Sequence, residues 1–404
     1  MQRVLRCGVR LARAVRERGE PLQTFVTETV DWPDTAPALR EKVRTLVAEH
    51  GESDPVRRAN SWTKADPAFS RKLGEAGLLG MTWPTEYGGH ERSQLERYVV
   101  IEELLAAGAP VGAHWIADRQ SAPLLLRLGN EELKRRWVPA VARGEAYACI
   151  GLSEPGSGSD LASVRTSARR DGNEWVIEGQ KVWTTGAHVS HFMIALVRSE
   201  AGSERQAGLS QFVIPMDAPG VSVRPIVDLT GAHEFNEVFF ENVRLPASAL
   251  LGVEGEGWKQ ATAELSLERS GPERYLSSMV LFLELVRYAG AKDDPALAQL
   301  VGRLAAEAWT LRLMSASVAA KLARGEDPAL EATIVKDLGN SYEQAIPQLV
   351  QAAIDFGDAE AEVLHAVCFY LLQVSPSFSL RGGTREIIKG IIARGLGLRR
   401  QTLG

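Results

Sequence analysis

The sequence has few cysteines and no long apolar run, and both absences limit its class. Cys7, Cys149 and Cys368 are its three cysteines, too few and too scattered for a disulfide framework or a metal cluster. Reduced thiols in a cytosolic-type compartment are the expected state. No apolar run reaches the roughly 18–20 residues that span a bilayer, so no membrane segment is expected.

The chain also lacks an excess of positive charge. Its net charge of −5 at pH 7 gives no reason to expect binding to nucleic acid or to an anionic membrane. The 45% hydrophobic and 24% charged residues are ordinary for a globular protein, and no internal repeat is visible. A chain of 404 residues exceeds what one core usually supports, so two or three subdomains are expected.

The N-terminus differs in character from the rest of the chain. Arginines recur there at helical spacing (Arg3, Arg6, Arg10, Arg13 and Arg16), and no acid precedes Glu17. This resembles an amphipathic mitochondrial presequence, but it lacks the serines of a presequence and the apolar segment of a secretory signal. We favour a helical extension or an over-long start. A cytoplasmic location is expected, or the mitochondrial matrix if the segment is a presequence.

The hydrophobic pattern changes period twice along the chain. Helical spacing from about Thr35 to Gly144, where Asn130 is predicted to cap a helix, gives way to short β-type runs. Helical spacing returns from about Gly255 onward. We therefore predict an α+β fold with a small β-barrel or sandwich domain between two helical ones. The predicted divisions are 1–30 (N-terminal extension), 31–145 (helical domain), 146–247 (β domain) and 248–404 (helical bundle).

Two segments in and after the first β-type runs carry the residue types of a ligand site. Gly151 to Asp160 reads G-L-S-E-P-G-S-G-S-D, and Lys181 to Thr185 reads K-V-W-T-T. Small residues let the backbone approach a planar ligand, hydroxyls and N–H groups bind its polar edge, and an indole covers a face. No G-x-G-x-x-G or G-K-[ST] frame opens a helix here, so a phosphate-cradling loop is disfavoured. The pattern suits a flavin ring.

With that organisation, the chain resembles the acyl-CoA dehydrogenases from about Thr35 to Leu398. Six segments carry the resemblance in the family's order, and their agreement makes chance improbable. They are Gly80–Gly89, Ser153–Asp160, Lys181–Gly186, Phe235–Phe240, Gly252–Trp258, and a C-terminal G-G-T-R-E-I followed by I-I-A-R-G-L-G-L.

The resemblance implies an FAD cofactor and names residues for its ring. Carried over position by position, the flavin site comprises Leu152, Ser153, Ser159, Trp183 and Thr185. Ser153 would contact the pyrimidine edge, Trp183 would pack against the isoalloxazine, and Thr185 would bond near N5. No metal is implied, and His188 and His191 have no acid or cysteine at ligand spacing.

The resemblance also implies a carboxylate that removes the α-proton while the β-hydrogen leaves as hydride to flavin N5. Many family members place this glutamate just before the G-T of the C-terminal motif, where this chain has Gly382. A minority branch, including isovaleryl-type enzymes, holds it on the helix after the G-x-G-W/F motif, and there Glu268 stands at the same offset. Glu268 is therefore the predicted base. Glu264 is its first rival, and Glu386 is disfavoured.

Segments that hold the other end of FAD in family homotetramers are not found in this chain. In place of R-x-x-F-G stands Ala289–Pro295, which contains Asp293 and Asp294, and Gln348–Ala353 has no paired glycine. Asp-Asp-Pro would repel a diphosphate. We favour a heterotetramer with a homologous subunit that supplies these groups, as known for actinobacterial enzymes of steroid side-chain thioesters. A homomer anchored by Arg287 or Arg303 is the alternative.

The expected function is dehydrogenation of an acyl-CoA thioester, with electrons passed to an electron-transfer flavoprotein. Alternatives are a catalytically silent subunit that completes a paralogue's flavin site, and a flavin oxidase or monooxygenase. The acyl chain is not readable. Gly271-Pro272 is expected to bend the helix of the base and favour a bulky thioester. Arg119 either shapes the acyl pocket or forms a surface pair with Asp118.

Overall fold

The computed structural model describes residues 26–61, 63–267, 271–355 and 357–398. The arginine-rich start of the chain lies outside the described residues, and so does Glu268. Helices occupy the first part of the described chain, strands the middle and helices the last part, so the predicted α+β fold class is confirmed.

Four of the six N-terminal helices that the structure describes begin at side-chain caps. Asn130 Oδ1 accepts a hydrogen bond from Leu133 N at 3.0 Å, which confirms the predicted cap. Ser93 and Glu96 form a reciprocal capping box at the start of another helix. The helices are α1 (Ala36–His50), α2 (Pro55–Arg58), α3 (Pro67–Glu75), α4 (Gln94–Ala106), α5 (Ala122–Leu128) and α6 (Glu131–Ala142), with a π-helical turn at Ala117–Ser121.

The middle of the chain forms one sheet of eight strands, mostly antiparallel. The order is β6-β7-β3-β2-β4-β5-β8, and β1 pairs in parallel with β4. A bulge interrupts the β3–β7 ladder at Gly179, whose φ of +141° and close approach to Thr166 exclude a side chain. The strands are β1 (Ala148–Gly151), β2 (Ser167–Asp171), β3 (Glu174–Lys181), β4 (Phe192–Arg198), β5 (Leu209–Pro215), β6 (Val221–Val227), β7 (His233–Pro246) and β8 (Leu250–Leu251).

The C-terminal helices surround a long central pair. They are α7 (Gly257–Leu267), α8 (Met279–Gly290), α9 (Pro295–Ala323), α10 (Ala329–Ala353), α11 (Glu362–Val374) and α12 (Arg385–Gly395). A 3-10 turn at Pro272–Arg274 lies between α7 and α8. The chain therefore turns at the Gly271-Pro272 step, where a bend was expected.

The two helical regions share one hydrophobic core, while the sheet has a cluster of its own and shares another with the N-terminal helices. Leu73 and Val99 from the first region and Leu281, Ile346 and Leu371 from the last belong to the same buried cluster. The helical halves therefore pack as one body. Burial of this apolar surface is the main stabilising contribution to their contact.

One helical stretch, Ala359–Leu380, is long and apolar enough to cross a membrane by length and composition alone. Leu364, Val367 and Leu371 on one face of α11 are buried in the shared core. Phe369 on another face is 69% exposed. The buried face identifies this stretch as a core helix with one uncovered apolar side.

Candidate functional site

The fold brings the two motif segments of the middle region into direct contact. Val182 N donates to Ser153 O at 2.9 Å, and Lys181 Nζ donates to Leu152 O at 3.2 Å. Leu152 packs in a small apolar cluster that includes Leu161 and Trp258, the latter at the start of α7. The loop 151–160 is thereby fixed between the end of β3 and the helix that precedes Glu268.

A buried ion pair forms the centre of this contact. Lys181 Nζ lies 2.8 Å from Glu154 Oε1, and the two side chains are 0% and 8% exposed. Lys181 also donates to Leu196 O at 2.6 Å. Glu154 accepts from the backbone N–H groups of Arg165 (2.6 Å) and Thr166 (2.9 Å). Both charges are thus satisfied, as buried charges must be.

Both members of this pair are charged at neutral pH. Burial raises the pKa of Glu154, but Lys181 and the hydrogen bonds to the carboxylate outweigh burial, so the pKa lies below its usual value. Burial lowers the pKa of Lys181 to about 8, against the attraction of Glu154. Glu154 therefore anchors the loop.

Trp183 is held away from the protein core by its backbone. Its φ is +57°, a left-handed conformation that bulky residues rarely adopt, and the residue is 60% exposed. The indole edge meets only the ring of Phe235 among described aromatic side chains, at 6.0 Å between centroids. Strain of this kind concentrates at ligand sites. A large aromatic face is consequently available to a ligand.

The loop 156–159 is also open. A Cβ built on Gly156 or Gly158 would meet no described atom within 4 Å, so protein packing does not require glycine at either position. Ser159 is exposed between Gly158 and Asp160, and Asp160 is paired with Arg205 at 2.9 Å. The exposed hydroxyl of Ser159 and the uncovered backbone of the two glycines suit the polar edge of a planar heterocycle, and the indole of Trp183 suits its face.

The threonines after Trp183 differ in environment. Thr184 is buried, and its backbone exchanges hydrogen bonds with Asn236 of β7. Thr185 is half-buried and lines a cavity of about 300 Å³ between the β sheet and the loops of the N-terminal helices. Thr185 therefore faces a cavity, whereas Thr184 is held in the structure by Asn236.

Glu234 is a ligand-facing candidate that the sequence analysis missed. It lines both the Thr185 cavity and a second cavity of about 110 Å³ that reaches Tyr370 and Phe378 of the C-terminal helices. Thr63 Oγ1 donates to Glu234 Oε1 at 2.8 Å. Burial raises the pKa of Glu234, although Thr63 and Asn60 hydrogen-bond to it. In the sequence, only its place directly before the F-N-E-V segment, three residues before Glu237, could have drawn attention to Glu234.

The position that many family members give to the base is a glycine in a cationic setting. Gly382 has a φ of +63°, and a Cβ there would lie 3.5 Å from both Arg274 Nη2 and Lys336 Cε. Glu386 is exposed on the first turn of α12. The predicted base Glu268 lies outside the described residues, and so does the side chain of its rival Glu264.

The acidic turn expected to repel a diphosphate has a local structural role. Asp294 Oδ1 accepts from Ala296 N at 2.7 Å and caps α9. The two arginines named as alternative anchors are paired within their own helices, Arg287 with Glu284 and Arg303 with Glu307. The described residues therefore show no prepared cationic site for the pyrophosphate at these positions.

Arg119 does not form the surface pair with Asp118. Asp118 Oδ1 accepts from Gly80 N at 2.8 Å, and its Oδ2 lies 3.4 Å from Arg97. Arg119 points to the C-terminal helices, where it pairs with Glu273. The surface-pair interpretation was wrong because the π-helical turn directs the two side chains to different partners.

Known proteins agree with this architecture in sequence and in structure. Residues 33–145 match the acyl-CoA dehydrogenase N-terminal domain, and residues 149–243 match the acyl-CoA dehydrogenase middle domain. Acyl-CoA dehydrogenase IpdE1 of Mycobacterium tuberculosis is 38% identical over 356 residues, which cover 83% of this chain and 89% of IpdE1.

Solved structures of similar length share the fold. The Tcur3481-Tcur3483 steroid ACAD matches with a TM-score of 0.81 at 27% identity, over 92% of this chain and 99% of the matched one. The ChsE4-ChsE5 complex from Mycobacterium tuberculosis matches with a TM-score of 0.79 at 27% identity, over 93% and 100%. The chain belongs to the acyl-CoA dehydrogenase family of flavoprotein oxidoreductases.

Proposed function

We propose that this chain catalyses the α,β-dehydrogenation of an acyl-CoA thioester with bound FAD and Glu268 as the α-proton base. The observation that carries the proposal is Trp183, an exposed indole on a left-handed residue whose neighbour Val182 hydrogen-bonds to Ser153 of the open loop 151–160. A bulky residue is kept in that conformation only where the surrounding structure imposes it. Here it directly follows Val182, which is hydrogen-bonded to the loop that the family uses for its flavin.

The residues present fit the ring end of FAD. Ser153 and Ser159 would hold its polar edge, Trp183 would cover its face, and Thr185 would donate to it from the cavity wall. When bound, FAD would supply the acceptor for the β-hydrogen. Lys181 and Glu154 contribute indirectly, because their ion pair fixes the relative position of the two segments.

The protein must also remove the weakly acidic α-proton, which requires a positioned carboxylate. Gly382 cannot do so. A carboxylate at that position would also lie beside Arg274 and Lys336, which would favour its ionised form and weaken it as a base. A base on the segment after α7 does not depend on the Gly382 position, and Glu268 has the sequence offset for it.

We further propose that the chain works as one subunit of a heterotetramer and passes electrons to an electron-transfer flavoprotein. The capped acidic turn at Asp294 and the internally paired Arg287 and Arg303 support a second chain as the source of the pyrophosphate anchor. Two of the solved structures that share the fold are named as complexes of two proteins. Exposed apolar side chains on α9 and α11, Trp309 and Phe369, offer surface for such a partner.

Two matched variants test the base. Glu268→Gln should retain bound flavin but lose bleaching of its visible absorbance by a substrate thioester, while Glu264→Gln should bleach like the wild type. The result that defeats the assignment is near wild-type bleaching in Glu268→Gln. Loss of bleaching in Glu264→Gln alone would transfer the role to that residue.

The silent-subunit alternative has its own measurement. The chain is co-expressed with a homologous neighbour, and the Glu268→Gln change is introduced into this chain only. A silent subunit would leave the activity of the complex intact. Oxygen consumption without an external acceptor would instead indicate the oxidase or monooxygenase.

A further inference from the structure

A buried ion pair joins the N-terminal helices to the turn that follows the proposed base. Arg119 Nη1 contacts Glu273 Oε1, and the two side chains are 9% and 5% exposed. Glu273 lies in the 3-10 turn Pro272–Arg274, five residues beyond Glu268. The pair therefore links a fixed point of the other helical region to the segment that carries the base.

Arg119 is presented by an unusual element. It lies in the π-helical turn Ala117–Ser121, and such turns occur mostly as single insertions within α-helices, frequently at functional sites. Its guanidinium carbon lies 5.3 Å from the centroid of the Trp115 ring. Asp118, the preceding residue, accepts a hydrogen bond from Gly80 N at 2.8 Å. These contacts fix the direction of the Arg119 side chain.

The turn is also fixed on its other side. Gly339 of α10 approaches so closely that a Cβ there would lie 2.0 Å from Arg274 O. Ser277 N donates to Glu343 Oε1 at 2.8 Å, and Arg381 Nη1 lies 3.4 Å from Ser277 Oγ. Residues 271–278 are therefore held by the π-helical turn, by α10 and by the loop that contains Gly382.

The Arg119–Glu273 pair is not arranged for maximum stability. Glu273 Oε2 is buried and has no hydrogen-bond partner among the described residues. A Cβ at Gly271 would lie 2.0 Å from this oxygen, so glycine lets the carboxylate fold back over its own turn. A buried unpaired oxygen costs free energy, and buried ion pairs often contribute less to stability than to geometry.

We propose that Arg119 and Glu273 are positioning residues, which fix the segment after α7 so that the carboxylate of Glu268 reaches the substrate α-carbon. The proposal rests on the proposed function. Misplacement of a reacting group by about 1 Å can cost a hundredfold in rate. A pair that fixes its segment at one point accordingly affects the chemical step more than substrate binding.

The experiment compares Glu273→Gln, the double variant Arg119→Met/Glu273→Met, and the conservative Arg119→Lys. The matched control is Glu331→Gln, which removes one member of the Lys321–Glu331 pair at 2.7 Å between α9 and α10. Four quantities are measured on the full flavin-loaded protein or complex. They are the bleaching rate at saturating thioester, the thioester affinity, the thermal midpoint, and amide hydrogen exchange of the peptide that spans residues 264–271.

We expect Glu273→Gln and the double variant to bleach about tenfold to a hundredfold more slowly. Thioester affinity should stay within about threefold, and amide exchange in the 264–271 peptide should rise. The double variant should regain the thermal stability that Glu273→Gln loses, because an apolar pair replaces a buried charge pair. Arg119→Lys should keep most of the rate, and Glu331→Gln should change neither rate nor exchange.

A purely structural role predicts a different result. The double variant would then recover its bleaching rate together with its stability, or its amide exchange would equal that of the wild type, and either result overturns the proposal. Failure of the proposed function is distinguished by Glu268→Gln in the otherwise wild-type chain. If Glu268→Gln still bleaches, Glu268 is rejected as the base. If Glu268→Gln loses bleaching but the Arg119→Met/Glu273→Met variant bleaches at the wild-type rate, only the positioning pair is rejected.

Discussion

Replacement of Lys181 by methionine tests how the two flavin-site segments are held together. The Lys181 side chain is fully buried and donates to Glu154 and to the carbonyls of Leu152 and Leu196. Methionine fills the same space but leaves a buried carboxylate without its counter-charge. Removal of one partner from a buried pair costs about 3–5 kcal/mol. Two backbone N–H groups still bind Glu154, so we expect the lower end, about 3 kcal/mol.

The assay is urea unfolding of the flavin-free chain, together with FAD titration of the folded variant. Adding Glu154→Gln to Lys181→Met should restore about 1–2 kcal/mol, because the buried charge is then removed. Lys321→Met, which breaks a partly exposed pair, should cost no more than about 1 kcal/mol. A Lys181→Met loss below about 1 kcal/mol with unchanged FAD affinity would refute the role given to this pair.

Three further predictions concern strain, acid stability and thiol reactivity. Trp183→Gly should relieve left-handed strain and keep or raise the urea midpoint, while FAD affinity falls about tenfold; a lower midpoint with unchanged affinity would contradict this. Burial lowers the pKa of His114 from 6.5 to about 4, so the unfolded chain binds its proton first. As the pH falls from 6.5 to about 4, the free energy of unfolding should therefore decrease by about 3 kcal/mol, and His114→Gln should flatten this part of the pH profile. Burial raises the pKa of Cys149 to about 12 and of Cys368 to about 11, so mass spectrometry should find neither labelled by a thiol reagent until the protein unfolds.

The parts of the fold that sequence could predict are those fixed by local pattern. The strands β4 and β5 are short apolar runs bounded by turn residues, and Asn130 stands directly before an amphipathic helix. Each of these signals depends on neighbouring residues only. The shared core of the two helical regions could not be predicted in this way, because its members, such as Leu73 and Leu371, are separated in sequence by the whole sheet.

The candidate site likewise contains residues that the sequence could predict and residues that only the fold reveals. Trp183 and Thr185 stand in a recognisable segment, whereas the partner of Lys181 lies 27 residues earlier and required the fold to be identified. Glu234 became visible only because two cavities meet at its side chain. The direction of Arg119 depends on a π-helical turn, for which the sequence carries no clear signal.

The most direct test of the account is anaerobic mixing of the flavin-loaded protein, alone or with its homologous subunit, with a panel of CoA thioesters. We expect at least one thioester to bleach the flavin absorbance with formation of the α,β-unsaturated thioester, and Glu268→Gln in this chain to abolish both changes. A flavin-loaded wild type that no thioester bleaches, or a Glu268→Gln protein that still forms the unsaturated product, would contradict the account.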